Sequence, residues 1–362
     1  DGKQKTIAFC LKKKMDKSIL IVHQGALGDL VLCFPALFAL RKYFHHIHLL
    51  CQNRLGKLSC HLGLTDRHFP IESAASASLY ADSPVPEVRE MLMQYDAIVL
   101  FSFSKQLQKS IRRITNKNAY LIAPRPKIGK KIHVSRHILS GLADCGLLKP
   151  DDISPIIQDF RYNTKSLSNS PNPPPPFPER EGGDVISTPL SFQGRGRGRG
   201  ALIANRYETA DPAKILIHPG SGSPRKNWHI SNFIRIYELL KAQGKKPEFV
   251  LGPAEESLAA ALQNIGIIHQ HSDITEFADL LRHAGGFIGN DSGATHLAAF
   301  LGLPVIAIFG PSDPDRWKPL GRAVKVLRAA VSCSPCFETN TKNCDKPDCF
   351  ILSQQFSVSK FT

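Results

Sequence analysis

The sequence is short of acid. Its 46 Lys and Arg face 31 Asp and Glu, a formal charge of +15 at pH 7 with His neutral. That balance favours anionic partners: nucleic acid, a phosphate-bearing substrate or an acidic membrane surface. Long hydrophobic runs are also missing. The longest apolar stretch, Leu297 to Phe309, is broken by Gly302 and Pro304 and falls short of the roughly 20 residues that a spanning helix needs. The early run Ile7 to Leu11 is too short for a secretory core and leads into Lys12-Lys13-Lys14. Nine Cys, an odd count scattered over 362 residues, make no disulfide framework. A cytoplasmic protein is the expectation, with Met15 as a candidate start and residues 1–17, six Lys against two Asp, as a disordered basic leader.

What is present reads as a globular chain of two domains: 42% of residues are apolar and 21% charged. From Ser18 the pattern alternates short β-rich runs (Ile19–Val22, His48–Cys51, Ala97–Phe101) with helical periodicity (Leu30–Tyr43, Val134–Cys145). Such alternation predicts a parallel sheet flanked by helices over residues 18–164. Residues 165–212 hold "SNSPNPPPPFPEREGG" and "GRGRGRG" and read as a disordered linker. Its Arg195, Arg197 and Arg199 suit RNA or membrane phosphates, but a solvated linker is the simpler expectation. A second α/β domain follows over 213–362: "ILIHPG" and "PEFVLG" as strands, helices over Trp228–Ala242 and Ala254–Ile265, then "GGFIGN", a helix from Ala294 to Leu301 and "PVIAIFG". Paired domains of this kind bind ligand in the cleft at the carboxyl ends of their strands.

Two nucleotide signatures are absent as well. Gly25-Ala26-Leu27-Gly28 supplies one G-x-x-G without the third glycine of a dinucleotide fingerprint, and Asp29 follows it. A carboxylate at a first helical turn repels a pyrophosphate placed there. Asp29 therefore reads either as a helix N-cap or as a base facing the cleft that takes a proton from a substrate hydroxyl. In the second domain "HPGSGSPRKNW" lacks P-loop spacing, yet Gly220, Ser221, Gly222 and Ser223 offer amides and hydroxyls and Arg225 and Lys226 offer charge, a combination suited to a diphosphate. In "GNDSGATHLAAF", Asp291, Ser292 and Thr295 are candidate caps, and small side chains let a ligand approach the backbone; His296 stands one turn in. Cys333, Cys336, Cys344 and Cys349 cluster late, but their spacing matches no common zinc ribbon, and thiols in a C-terminal loop are the expectation.

Taken in order, "GALGDLVLCFPAL", "HPGSGSPRKNW", "LGPAEE", "GNDSGATHLAAFLGLPVIAIFGPSDPDRW" and "CSPC" resemble the ADP-heptose:lipopolysaccharide heptosyltransferase family, glycosyltransferase family nine. The resemblance covers about 18–160 and 213–350. It implies a GT-B fold, two Rossmann-like parallel-sheet domains facing across a cleft, with acceptor bound by the first and nucleotide-sugar by the second. It implies inverting transfer of heptose from an ADP-sugar to a hydroxyl of the lipopolysaccharide inner core without an obligatory metal or other cofactor. Asp29 then falls on the base aspartate and Lys226 on the donor-phosphate lysine, while Asp291, Ser292, Gly293 and His296 fall on the donor-binding segment, with Ser for Thr. Gly220 and Ser221 belong to the donor turn, and either Glu255 or Glu256 matches the ribose-binding acid. The implied partners are a nucleotide-sugar, an anionic lipid-linked oligosaccharide and the inner-membrane surface, with no specific nucleic acid. The rivals are a same-family transferase with another sugar or acceptor, and a non-catalytic nucleotide- or glycan-binding module.

Overall fold

The computed structural model describes residues 17–80, 84–162, 210–339 and 348–350. The basic leader before Lys17, the Pro/Gly/Arg tract up to residue 209 and Cys344 lie outside the described residues.

The first domain is a five-stranded parallel sheet: β1 (Ser18–His23), β2 (His46–Cys51), β3 (Arg67–Pro70), β4 (Ala97–Phe101) and β5 (Ala119–Ile122), in the order β3-β2-β1-β4-β5. Its central strands are apolar at successive positions because both faces are covered. Ile19 and Ile21 of β1 pack in the cluster with helices Leu27–Leu40 (α1) and Val134–Asp144. Leu20 and Val22 point the other way, into the cluster with helices Pro86–Met93 and Lys105–Thr115.

The second domain is a six-stranded parallel sheet of β6 (Asp211–His218), β7 (Lys246–Leu251), β8 (Ile268–Gln270), β9 (Ala284–Asn290), β10 (Val305–Ile308) and β11 (Val324–Leu327), ordered β11-β10-β9-β6-β7-β8. Counted from its first strand this is the doubly wound 3-2-1-4-5-6 arrangement. Strand β6 begins at Asp211, ahead of the boundary drawn at residue 213.

Three helices differ from the periodicity reading. Helix α1 runs over Leu27–Leu40 rather than Leu30–Tyr43, because extended Ala26 already serves as its N-cap. The helix read from Trp228 starts at Ile230, since the Trp228 amide is taken by Asn290 Oδ1 at 3.0 Å. The helix read over Ala254–Ile265 is a 3-10 segment, Pro253–Leu258, followed by one α-turn, Ala259–Leu262. Here Glu255 turns inward and accepts from the Gly252 amide at 3.0 Å, which tightens the start of the segment.

The domains dock through helices. Phe34 of α1 meets Phe300 of helix Gly293–Phe300 (α9) edge to face at 4.8 Å, and one apolar cluster runs from Ile21 and Phe34 to Leu297 and Phe309. Polar ties flank this contact: His61 to Asp279 at 2.9 Å, and His133 Nε2 to the Lys318 carbonyl at 2.8 Å. Arg316, 2% exposed, donates to the carbonyls of Pro126, Lys127 and Lys130 across the interface. Among the described residues no helix is long and apolar enough to cross a membrane.

Candidate active site

In each sheet the strand order reverses beside the first strand, between β1 and β4 and between β6 and β9. Open α/β sheets bind ligand at such switch points, outside the strands' carboxyl ends. Asp29, Lys226 and Asp291 all lie on segments that leave these strands.

After β1 the chain turns through Gln24, Gly25 and Ala26 into α1. Asp29 is the third residue of that helix, not its N-cap. Its Oδ2 nevertheless accepts from the Ala26 amide at 3.1 Å, satisfying one of the first-turn donors. Gly25 makes room for this, since a Cβ there would stand 2.7 Å from the Asp29 Cβ. Asp29 remains partly exposed, so its carboxylate combines a local structural bond with access to solvent. Next to this turn His23 is 1% exposed, and neither ring nitrogen has a hydrogen-bond partner among the described residues. Burial pulls its pKa down to about 4, against the opposing charge of Asp29.

Across the cleft, β6 leads into Pro219-Gly220-Ser221. Asn290, fully buried at the end of β9, stitches this turn to its own strand: its amide donates to the Pro219 carbonyl at 2.7 Å while its oxygen accepts from Trp228. Ser221 Oγ lies 2.6 Å from Asn227 Oδ1 and 2.7 Å from the Ser223 carbonyl. The single 3-10 turn Pro224–Lys226 then aims Lys226 at Asp291, Nζ to Oδ2 3.2 Å. Asp291 is 5% exposed. Burial pushes its carboxyl up, but His296, Lys226 and Ser312 outweigh burial and hold it at about 2. His296 Nε2 stands 3.6 Å from Asp291 Oδ1, an ion-pair distance rather than a hydrogen bond. Ser292 is the N-cap of α9 and accepts from the Thr295 amide at 3.3 Å.

The two acids at "AEE" part company. Glu255 is buried against the Pro219–Ser221 turn, its Oε2 3.7 Å from His218 Nε2. A Cβ on Gly220 would fall 2.1 Å from the Glu255 Cγ. Burial raises Glu255, and His218 together with the Gly252 amide pulls harder the other way, leaving the carboxyl below the ordinary Glu range. Glu256 is exposed.

The halves meet at two glycines. A Cβ on Gly293 would stand 2.8 Å from the Leu27 Cβ and 2.9 Å from the Gly28 nitrogen. The N-termini of α1 and α9 therefore abut, which brings their positive dipole ends together, with the Asp29 carboxylate in the first turn of α1. Through this contact the helix that carries Asp29 meets the turn that carries Asp291, the partner of Lys226.

Asn290, His23 and Phe337 were not among the site residues read from sequence. Asn290 and His23 end buried strands, where a polar residue breaking an apolar run was the available signal. The ring of Phe337 lies 5.3 Å from Lys226 Nζ and 5.0 Å from Arg225 Cζ, and no local pattern marks it. Of the late thiols, Cys333 is exposed, Cys336 half-buried and Cys349 buried. Among the described residues no group of three or more His, Cys, Asp or Glu is placed to hold a metal ion.

Residues 198–346 match the family model of glycosyltransferase family 9 (heptosyltransferase). Lipopolysaccharide heptosyltransferase 1 of Pseudomonas aeruginosa is 28% identical over 145 residues, 38% of this chain and 40% of that protein. Lipopolysaccharide heptosyltransferase 3 of Escherichia coli is 29% identical over 113 residues, 29% of this chain and 33% of that protein. The chain thus spans less than half the length of these curated relatives. Solved structures extend the likeness of fold over both domains. The family 9 glycosyl transferase of Veillonella parvula superposes with a TM-score of 0.60 at 17% identity, covering 90% of this chain and 92% of that one. The Escherichia coli ADP-heptose lipopolysaccharide heptosyltransferase II gives 0.59 at 15%, covering 88% and 92%. An Escherichia coli heptosyltransferase solved with ADP gives 0.56 at 15%, covering 85% and 93%. Its two facing parallel sheets are thus of GT-B type, and its second domain is similar to glycosyltransferase family 9, the heptosyltransferases.

Proposed function

We propose that the protein is an inverting glycosyltransferase that moves heptose from ADP-heptose to a hydroxyl of the lipopolysaccharide inner core. One observation supports the reading: the Gly28–Gly293 contact joins the helix that carries Asp29 to the turn that carries Asp291, the partner of Lys226. A sugar hydroxyl is too weak an acid to attack unaided. Asp29 takes its proton as the oxygen bonds to C1 of the donor sugar. The bond from C1 to the diphosphate breaks on the opposite face, and ADP leaves with added negative charge. Lys226 and the free amides at the start of α9 stabilise that charge, with Asp291 holding the lysine in place. Glu255, turned inward at the end of β7, is the acid assigned to the nucleotide ribose, and Gly220 and Ser221 form the donor turn. The positive charge needed by the leaving group comes from side chain and backbone, so the reading asks for no metal or other cofactor.

The acceptor is an anionic lipid-linked oligosaccharide, met at the cytoplasmic face of the inner membrane. Supporting this, the segment after β5 exposes Arg125, Lys127, Lys130 and Lys131 beside Ile128 and Ile132. The test is transfer from ADP-heptose to a heptose-deficient inner-core acceptor, followed by mass spectrometry. Asp29→Asn is expected to lower turnover by about 10²–10⁴-fold while ADP binding is unchanged. Wild-type turnover in that variant reduces Asp29 to its bond with Ala26. Thermal protection by a panel of ADP-, UDP- and GDP-sugars separates this donor from that of a same-family transferase using another nucleotide.

A further inference from the structure

Lys226 is held on two sides. One partner is the Asp291 carboxylate, and the other is the Phe337 ring, which also lies under Arg225. The segment carrying that ring is fixed more firmly than its place past the last strand suggests. Ser334 Oγ donates to the Gly310 carbonyl at 2.7 Å, and the amides of Cys336 and Phe337 both donate to the Pro311 carbonyl at 2.9 Å. One residue on, Glu338 pairs with Arg316, Oε2 to Nε 2.7 Å and Oε1 to Nη2 3.0 Å. Arg316 is the residue that also grips three carbonyls of the first domain.

We propose that Phe337 is a positioning residue that holds Lys226, with Arg225, oriented for an incoming diphosphate. The inference rests on reading Lys226 as the donor-phosphate contact. A lysine has a long flexible stem and a strongly hydrated head, and left alone it spreads over many rotamers. A second carboxylate would restrain it but would repel the phosphates. An aromatic face attracts the ammonium through its quadrupole and brings no net charge, so it restrains the cation while leaving its charge available. The anchoring of Cys336, Phe337 and Glu338 supplies the rigidity such a restraint needs.

The experiment is titration of the full-length protein with ADP by calorimetry, using Phe337→Leu, Phe337→Met, Phe337→Tyr, Lys226→Ala and the double variant Phe337→Leu/Lys226→Ala. Leu and Met are expected to weaken ADP binding about tenfold, which is about 1.4 kcal/mol and within the cation–π range. Tyr keeps the ring and is expected to restore wild-type affinity. On the Lys226→Ala background the Leu change is expected to cost much less, because its main target is gone. A Leu or Met variant that binds ADP as wild type overturns the proposal, and so does a penalty that persists in full without Lys226. Absence of ADP binding by the wild type instead overturns the donor reading itself.

Discussion

At the scale of single residues, the site is built from groups whose burial and partners differ sharply within a few ångströms. Asp291 is buried and ionised because His296 and Lys226 face it, whereas His23 is buried without a side-chain hydrogen bond among the described residues, and burial favours its neutral form. The pH consequence of His23 has a definite sign. Its folded pKa of about 4 lies below the ordinary 6.5, so the unfolded chain binds a proton first as pH falls. Its cost is absent above about pH 6.5, grows down to about 4 and then levels off, reaching about 3 kcal/mol. His23→Met, close in size and without a titrating group, is expected to flatten the fall in urea midpoint between pH 7.5 and 4.5. An equally steep fall in the variant would show that other groups carry it, His48 among them, since burial also lowers that side chain to about 4.

Among elements, the decisive contact is the meeting of α1 and α9 at their N-termini. The two glycines there are not equivalent. A methyl group on Gly28 would find its nearest neighbour at 3.5 Å, an ordinary contact, while one on Gly293 would meet Leu27 at 2.8 Å and the Gly28 nitrogen at 2.9 Å. Gly293→Ala is expected to lower stability by about 1–3 kcal/mol, the cost of overpacking, and, on the proposed function, to cut sugar transfer by shifting the helix that carries Asp29 away from Asp291. Gly28→Ala is expected to leave the melting temperature near that of wild type. Scanning calorimetry on the two variants checks this, and equal melting temperatures would refute the asymmetry.

For the whole molecule, the apolar core does not stop at the domain boundary, because Phe34 and Ile21 share a cluster with Leu297 and Phe309. Separate unfolding of one domain would expose that shared surface, so the two halves are expected to melt together. The chain has its own probe for this. Both tryptophans, Trp228 and Trp317, lie in the second domain, so their fluorescence reports that half alone while circular dichroism reports both. Coincident urea transitions by the two methods are expected, and a dichroism change that precedes or follows the fluorescence change would show that the halves unfold independently.

The sequence by itself determined the alternating α/β pattern, the buried central strands and the reactive residue types at their ends. Those features are local: apolar runs specify strands covered on both faces, and glycine-rich segments after them specify tight turns where side chains such as Asp29 and Lys226 must emerge. The short strands β3, β5, β8 and β11 escaped that reading, since three or four partly exposed residues carry too little pattern. The choice of Glu255 over Glu256 as the acid facing the Pro219–Ser221 turn also needed the fold, because neighbours in a 3-10 segment point in different directions and nothing in "AEE" says which is inward. Tertiary structure alone decided that Gly293 packs on Gly28, that Arg316 clasps the first domain and that Phe337 lies against Lys226. Each of these joins residues far apart in the chain, and such pairings are set by how two finished domains dock rather than by the preferences of any short segment.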